Sequence, residues 1–174
     1  MPKIKKCLNE WNATIEALGQ GKQTILIRKY GTNLDKFLLY PTVSYALQKD
    51  YFKSFKEKYQ GFVKNNALPK KEGKKTEVKY VAFVDKVIKR NSKRIGSFNK
   101  YHIWTNNHVK SYLGRSEANI WVLRIYKLNK SIMSTRTMAK IYANLEEEVS
   151  LDNIQPVISD EEFSKIIKEI ESKK

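Results

Sequence analysis

Residues 76–90, TEVKYVAFVDKVIKR, carry an apolar or aromatic side chain at every second position from 78 to 84. Val78, Tyr80, Ala82 and Val84 alternate with the other residues, and this period of two is typical of a half-buried β-strand. The apolar run NIWVLRIYKL at 119–128 predicts a second, central strand. Together the two segments predict a sheet that contains both of them.

The remaining elements are predicted from spacing and from turn residues. Leu8, Trp11, Ile15 and Leu18 recur at helical spacing. The predicted elements are a helix at 8–18, strands at 23–30 and 36–40 that form an antiparallel hairpin, one long or two shorter helices at 44–64, a short helix capped by Thr105 or Asn106 and ended at Gly114, an irregular segment at 131–158, and a terminal helix opened by a capping box of Ser159 and Glu162. This order predicts an α+β fold with a mostly antiparallel sheet.

Charge is distributed unevenly along the 174 residues. Residues 1–130 contain 28 Lys and Arg against 9 Asp and Glu, a balance of +19, whereas residues 131–174 contain 6 against 9, a balance of −3. A surface this basic repels itself and usually reflects a polyanionic partner, most often nucleic acid. We therefore expect a basic core over 1–130 and an acidic tail over 131–174, with the terminal helix packed on the core.

Several classes of site are not supported by the composition. Cys7 is the only cysteine, and His102 and His108 are the only histidines, so we expect no disulfide, no metal site and no cofactor. No apolar stretch approaches the roughly 18 residues of a membrane span, and a lone cysteine fits a reducing compartment, so the expected location is the cytoplasm. The absence of GxxxxGK[ST], GxGxxG, GxSxG, HExxH and paired CxxC motifs counts against the commonest hydrolases and zinc enzymes.

The segment YHIWTNNH at 101–108 is the densest group of side chains that could contact a nucleic acid. Trp104 could stack on a base and His102 could hydrogen-bond a base edge, although both could equally serve the core. Arg28 would offer a planar fork to a phosphate or a guanine edge. The predicted nucleic-acid-binding residues are Lys22, Arg28, Lys29, Tyr40, Thr42, Arg90, Lys93, Arg94, His102 and Trp104. Of these, we expect Arg28, Tyr40, Thr42, His102 and Trp104 to line a cleft between the 22–30 strand and the 101–108 segment.

The chain also resembles an uncharacterised family on several motifs. These are Glu-Trp at 10–11, Ala-Leu at 17–18 with Gly-Lys-Gln at 21–23, Phe-Leu-Leu-Tyr-Pro-Thr at 37–42, His-Ile-Trp at 102–104 and Ser-Asp-Glu-Glu-Phe at 159–163. On these residues the chain is similar, across nearly its whole length, to the domain-of-unknown-function family 1802. That resemblance implies no activity.

A shorter motif resembles a second family. GKQTILIR at 21–28 is similar to the G-x-K-T-x-x-x-R signature of ASCH domains in the PUA-like superfold. The resemblance implies a small mixed or antiparallel β-barrel with packed helices that binds RNA or modified nucleotides. Some ASCH proteins hydrolyse acetylated cytidine with a Lys and a Thr at positions that are Gln23 and Leu26 here. The resemblance therefore favours binding over that reaction unless Lys22 substitutes.

Three functional hypotheses remain open from the sequence. The leading one is a cytoplasmic RNA-binding module, with RNA favoured over DNA as the partner. The second is a metal-dependent nuclease that uses the E-x-K pattern of Glu77 and Lys79 with Asp35, or a nucleotide-modifying hydrolase. The third is a ribonucleoprotein assembly protein whose acidic tail docks on another protein. The residues alone do not identify a reaction.

Overall fold

The computed structural model describes residues 2–173 as a mixed sheet with helices packed against it. The strands are β1 (Lys3–Trp11), β2 (Ile25–Arg28), β3 (Lys36–Thr42), β4 (Lys71–Glu72), β5 (Lys75–Arg90), β6 (Ala118–Ser134), β7 (Tyr142–Ser150) and β8 (Gln155–Pro156). The helices are α1 (Asn12–Gly19), α2 (Gln60–Asn65), α3 (Asn106–Leu113) and α4 (Asp160–Glu171). Short 3-10 segments cover Ser44–Leu47, Tyr51–Ser54, Glu57–Tyr59 and Ser92–Tyr101.

The sheet is built around the two long strands predicted from the sequence. Its order is β2-β6-β5-β3-β1-β7, with β4 on β5 and β8 on β6. Strands β1 and β3 are parallel, and the other pairs are antiparallel. The predicted α+β class and mostly antiparallel sheet are confirmed.

The sheet is rolled into a barrel-like shape, although its hydrogen-bond ladder does not close. Strands β2 and β1 are four strand spacings apart, which is about 19 Å in a flat sheet. Nevertheless, Arg28 on β2 forms an ion pair with Glu10 on β1. At the other end an isolated bridge between Arg136 and Leu145 joins the chain after β6 to β7. Within residues 2–173 no ladder joins β2 to β1 or β7, so side chains close this seam.

Two apolar clusters fill the two sides of the rolled sheet. The smaller one lies among β1, β3, β5, β6 and β7 and includes Cys7, Leu38, Val81 and Leu145. The larger one packs α1, α3 and α4 against the sheet, with Trp121 and Phe37 fully buried. This arrangement matches the barrel with packed helices that the sequence resemblance implies.

The helix predicted at 8–18 is present as α1, but its start was placed too early. Residues 3–11 form a strand, and the helix starts only at Asn12. A register shift between Ile4 and Lys6 interrupts the period of two in β1, which conceals the strand in the sequence. The predicted hairpin of 23–30 with 36–40 was also wrong, because β2 pairs with β6 while β1 and β5 flank β3.

The predicted helix at 44–64 is replaced by 3-10 segments and the short α2. Asp50 has a φ of 60°, which interrupts a right-handed helix. The segment expected to be irregular at 131–158 instead contains the end of β6, β7 and β8. The long strand at 76–90, the helix capped by Thr105 and the helix opened by Ser159 agree with the sequence predictions.

The C-terminal helix α4 is attached to the basic core by its apolar face and by ion pairs. Phe163 and Ile170 join the larger cluster. Lys86 pairs with Glu171, and Lys100 pairs with Glu169 at 2.8 Å. None of the helices in residues 2–173 has the length and apolar character of a membrane span.

Candidate functional site

A cleft of about 360 Å³ lies at the seam where the sheet does not close. Its walls combine aromatic, charged, polar and aliphatic side chains. The lining residues are Trp11, Tyr30, Trp104, His108 and Tyr112; Glu10, Arg28 and Lys140; Asn9, Thr42 and Ser44; and Ile27, Val109 and Ile141. The volume falls within the about 300–1,000 Å³ typical of small-molecule pockets.

The parallel pair β1 and β3 explains why residues distant in sequence meet here. In their register Trp11 lies opposite Thr42, so both strands end at the same edge of the sheet. Helix α3 then supplies His108 and Tyr112, which are four residues apart and therefore share one helix face. The cleft thus lies between the 22–30 segment and the 101–108 segment.

Glu10 and Arg28 form an ion pair within the cleft and are largely buried. Trp11 donates its backbone N–H to Oε1 of Glu10 at 2.8 Å, and Arg28 donates from Nη1 to the carbonyl of Ile27 at 3.1 Å. Burial lowers the pKa of the Arg28 guanidinium from its ordinary value. The group remains a cation at neutral pH because that ordinary value is so high.

Aromatic rings form much of the cleft wall and differ in exposure. The Trp11 ring stacks on Tyr45 at a centroid distance of 4.9 Å and lies 5.5 Å from the His108 ring. Tyr30 and Tyr112 are 37% and 36% exposed, so their rings are accessible from solvent. An incoming planar group therefore meets aromatic surface that the protein core does not use.

Positive charge is concentrated at the same edge as the exposed rings. The Lys29 ammonium lies 5.0 Å from the centroid of the Tyr112 ring. Lys140 lines the cleft and is exposed. An anion entering the cleft would approach through a basic surface.

His102 does not line the cleft, which corrects the sequence expectation. It is 1% exposed, and its Nδ1 accepts the backbone N–H of Trp104 at 3.2 Å. Burial lowers the pKa of His102 to about 3, with the neighbouring Lys56 ammonium as a second cause. The neutral ring supports the backbone of Trp104, which itself lines the cleft.

The other predicted binding residues are dispersed. Arg28, Thr42 and Trp104 meet in the cleft, and Lys29 lies beside it. Tyr40, expected in the lining, is buried in the smaller cluster and donates its hydroxyl to the carbonyl of Ser134, because its strand turns this side chain inward. Exposed Lys22 lies over the Phe62 ring, and Arg90 donates to the carbonyl of Lys173. Lys93 and Arg94 lie on the 3-10 segment that follows β5, and both are exposed.

The strand register places the basic residues at 70–75 and those at 89–94 at opposite ends of the sheet. On β6, Asn119 lies opposite both Arg28 of β2 and Lys89 of β5. The backbones of Arg28 and Lys89 are therefore about 10 Å apart, two strand spacings. The turn before β5 lies at the opposite end, where Thr76 pairs with Ser134. The basic residues at 89–94 thus share the cleft end of the sheet, and those at 70–75 do not.

The residues of the nuclease hypothesis are not assembled into one site. The Asp35 carbonyl accepts the N–H of Val84, and Val84 lies seven residues from Glu77 along β5, about 20 Å. Lys79 pairs with buried Glu16 at 2.6 Å. Within residues 2–173 no group of three or more His, Cys, Asp or Glu side chains is arranged to hold a metal ion.

The positions that align with the ASCH hydrolase residues have structural roles here. Gln23 is buried, donates to the carbonyl of Ile25 at 2.8 Å and accepts the N–H of Ile103 at 3.3 Å. It therefore ties β2 to the segment that carries Trp104. Leu26 is fully buried in the larger cluster.

A family model described as a domain of unknown function (DUF1802) matches residues 7–169. The chain belongs to the DUF1802 family. A search of curated proteins found no significant match.

Solved structures similar to this DUF1802 chain come from Zymomonas mobilis. A serine-to-alanine mutant of its ASCH protein has a TM-score of 0.48 and 13% identity, over 97% of this chain and 98% of that one. The ASCH structure itself has a TM-score of 0.45 and 13% identity, over 94% and 93% of the two chains.

Sequence reasoning missed several cleft residues of this DUF1802 chain. Glu10 and Trp11 were part of a recognised motif, but they were placed in a helix instead of at the end of β1. Tyr30, Tyr112 and Lys140 carry no motif of their own. These residues come together because the sheet is rolled and because residues 135–141, which connect β6 to β7, pass beside the cleft. Neither feature has a local sequence signal.

Proposed function

We propose that this DUF1802 protein is a cytoplasmic RNA-binding module that accepts an unpaired nucleotide in the cleft. The observation that carries the proposal is the combination of accessible aromatic rings and a buried Arg28–Glu10 pair in one cleft. Aromatic rings stack on bases of single strands, and each stacked base contributes about 1–3 kcal/mol. Sequence-specific RNA recognition relies on such unpaired bases.

The charge surrounding the cleft supports the same proposal. The whole chain has a formal net charge of +16. Lys29 and Lys140 stand beside the cleft, and Lys89, Arg90, Lys93 and Arg94 follow at the same end of the sheet. A phosphate backbone leading to the cleft would therefore meet cations on either side of the bound base. RNA is favoured over DNA as the partner because single-stranded loops present unpaired bases.

The test is fluorescence anisotropy with a labelled single-stranded RNA, the DNA of the same sequence and an RNA duplex. We expect single-stranded RNA to bind most tightly. Tyr112→Ala should weaken that binding at least fivefold, because it removes an exposed ring of the cleft.

The matched control is Tyr59→Ala. Tyr59 is a partly exposed tyrosine that does not line the cleft. Like Tyr112 it has lysine neighbours, because the ammonium groups of Lys56 and Lys58 lie 5.9 and 5.1 Å from its ring centroid. Its replacement should change the affinity less than twofold. Equal losses in the two variants, or tighter binding of duplex than of single strand, would contradict the proposal.

A further inference from the structure

The Glu10–Arg28 pair retains unused hydrogen-bonding capacity. A guanidinium has five N–H groups, and Arg28 directs one to Glu10 and one to the carbonyl of Ile27. A carboxylate accepts about four hydrogen bonds, and Glu10 accepts one from Arg28 and one from the N–H of Trp11. Donors and acceptors therefore remain next to each other in the cleft.

Stability does not explain why such a pair is present. Removing two charges from water costs several kcal/mol, and well-packed apolar residues in place of a buried ion pair are often as stable. Two further lining residues have a buried polar atom without a partner in the described part of the chain. These atoms are Oδ1 of Asn9, an acceptor, and Nε1 of Trp104, a donor. Burying an unpaired polar atom is costly, so both atoms would gain from pairing with a polar group bound in the cleft.

Base edges differ in how well they complement a guanidinium beside a carboxylate. Guanine presents one carbonyl acceptor followed by two N–H donors. Cytosine presents an amino donor followed by two acceptors. Either edge can face the pair with three matched hydrogen bonds. Uracil has a carbonyl at both ends of its edge, so one carbonyl oxygen would face the carboxylate and repel it.

We propose that Glu10 and Arg28 select an unpaired guanine or cytosine over uracil in the cleft. This inference rests on the proposed RNA-binding function and adds base selectivity to it. The shared chemistry is an edge on which donors are grouped at one end and acceptors at the other.

The experiment uses labelled heptanucleotides of uridine in which the central base alone is guanine, cytosine or uracil. The intact protein should bind the guanine or the cytosine oligonucleotide about tenfold more tightly than the all-uridine one, because only the first two edges match the donors and acceptors of the pair. Comparison of the first two oligonucleotides identifies which base is preferred.

Glu10→Gln is the diagnostic variant, with thermal unfolding to verify that it is folded. It keeps the side-chain shape but removes the negative charge, so the ratio of the guanine or cytosine affinity to the all-uridine affinity should fall below threefold. Lys5→Ala is the control, because Lys5 is exposed on β1 far from Trp11, and it should leave the preference unchanged.

The outcomes separate this inference from the function on which it rests. Tight binding of all three oligonucleotides with equal affinity would overturn the base selectivity and leave RNA binding intact. Retention of the full preference in Glu10→Gln would show that the Glu10 carboxylate does not select the base, which would overturn this inference and leave RNA binding intact. Failure of all three to bind would overturn both.

Discussion

His102 shows how a residue can serve the cleft without entering it. Its Nδ1 accepts the Trp104 backbone N–H, and burial holds the pKa of the ring at about 3, well below the ordinary value of 6.5. Protonation would convert this acceptor into a donor and break the hydrogen bond. The folded protein therefore keeps His102 neutral in a pH range where the unfolded chain binds a proton.

This difference predicts a pH dependence of stability. Between pH 6.5 and about 3 the unfolded state carries more protons on His102, so the free energy of unfolding falls as the pH is lowered. From pH 7.5 to pH 5 the loss should be about 2 kcal/mol. His102→Asn keeps an acceptor for Trp104 and should lose this component, as measured by urea unfolding at the two pH values.

The second histidine, His108, does not affect that comparison. Burial also lowers the pKa of His108, but this residue is present in both proteins and its contribution cancels. An unchanged difference between pH 7.5 and pH 5 in His102→Asn would show that His102 titrates normally. The assignment of His102 as a neutral support of Trp104 would then be wrong.

At the level of elements, the end of α1 fits against β5 with no space for a side chain. A Cβ at Gly19 would lie 2.1 Å from the Tyr80 ring. That ring cannot move aside easily, because its hydroxyl donates to buried Glu16 at 3.0 Å. Glycine at this position lets the helix approach the strand closely.

Gly19→Ala should therefore lower the free energy of unfolding by about 1–3 kcal/mol, the usual cost of overpacking a core. Gly61→Ala is the matched control, since Gly61 is exposed in α2 and a Cβ there would have no neighbour within 4 Å. The control should be neutral or stabilising by up to about 1 kcal/mol. Chemical denaturation of both variants measures the difference, and equal effects would contradict the close approach.

The elements that could be predicted from sequence are those with a clear local signal. Strand β5 alternates from Val78 to Val84 although its register shifts beside both residues, and helices α3 and α4 each begin at a capping residue, so all three were placed correctly. Residues 44–64 have aromatic side chains at helical offsets, but burial does not require a helix. Tyr45 and Phe55 instead pack around Trp11, at centroid distances of 4.9 and 6.0 Å.

The candidate site could be predicted in part for the same reason. Arg28 and Trp104 were expected in one cleft because each belongs to a recognisable segment, and both line it. Tyr40 and His102 were placed there by residue type, yet the direction of a side chain depends on strand register. Glu10 was missed as a cleft residue because residues 8–11 were predicted to begin a helix. They instead end β1, where Trp11 lies opposite Thr42 at the edge of the sheet that forms the cleft.

For the molecule as a whole, the charge of +16 predicts a strong dependence of RNA affinity on salt. Each phosphate that a protein cation neutralises on a single strand contributes about −0.7 to the slope of log affinity against log salt. Contact with five phosphates would give a slope of about −3.5. Lys29→Ala, beside the cleft, should reduce the magnitude of the slope by about 0.7, as measured by anisotropy titrations at four salt concentrations.

Lys5→Ala again provides the comparison, because it removes the same charge at the opposite end of β1 from Trp11. It should leave the slope within error of the unaltered protein. If both variants flatten the slope equally, RNA is held by the charge of the whole surface. The route of the backbone past Lys29 would then be wrong.

The position of β1 also governs when the sheet can be completed during synthesis. Lys3 pairs with Ser150 and Leu8 with Tyr142, so β1 is synthesised long before β7, the strand that covers its outer edge. Until β7 leaves the ribosome, one edge of β1 has unpaired N–H and C=O groups. Pairing over such a long sequence separation is also slow. The cleft edge at Trp11 is therefore completed only after β7 has been synthesised, and until then the nascent chain exposes a strand edge that can pair with other strands.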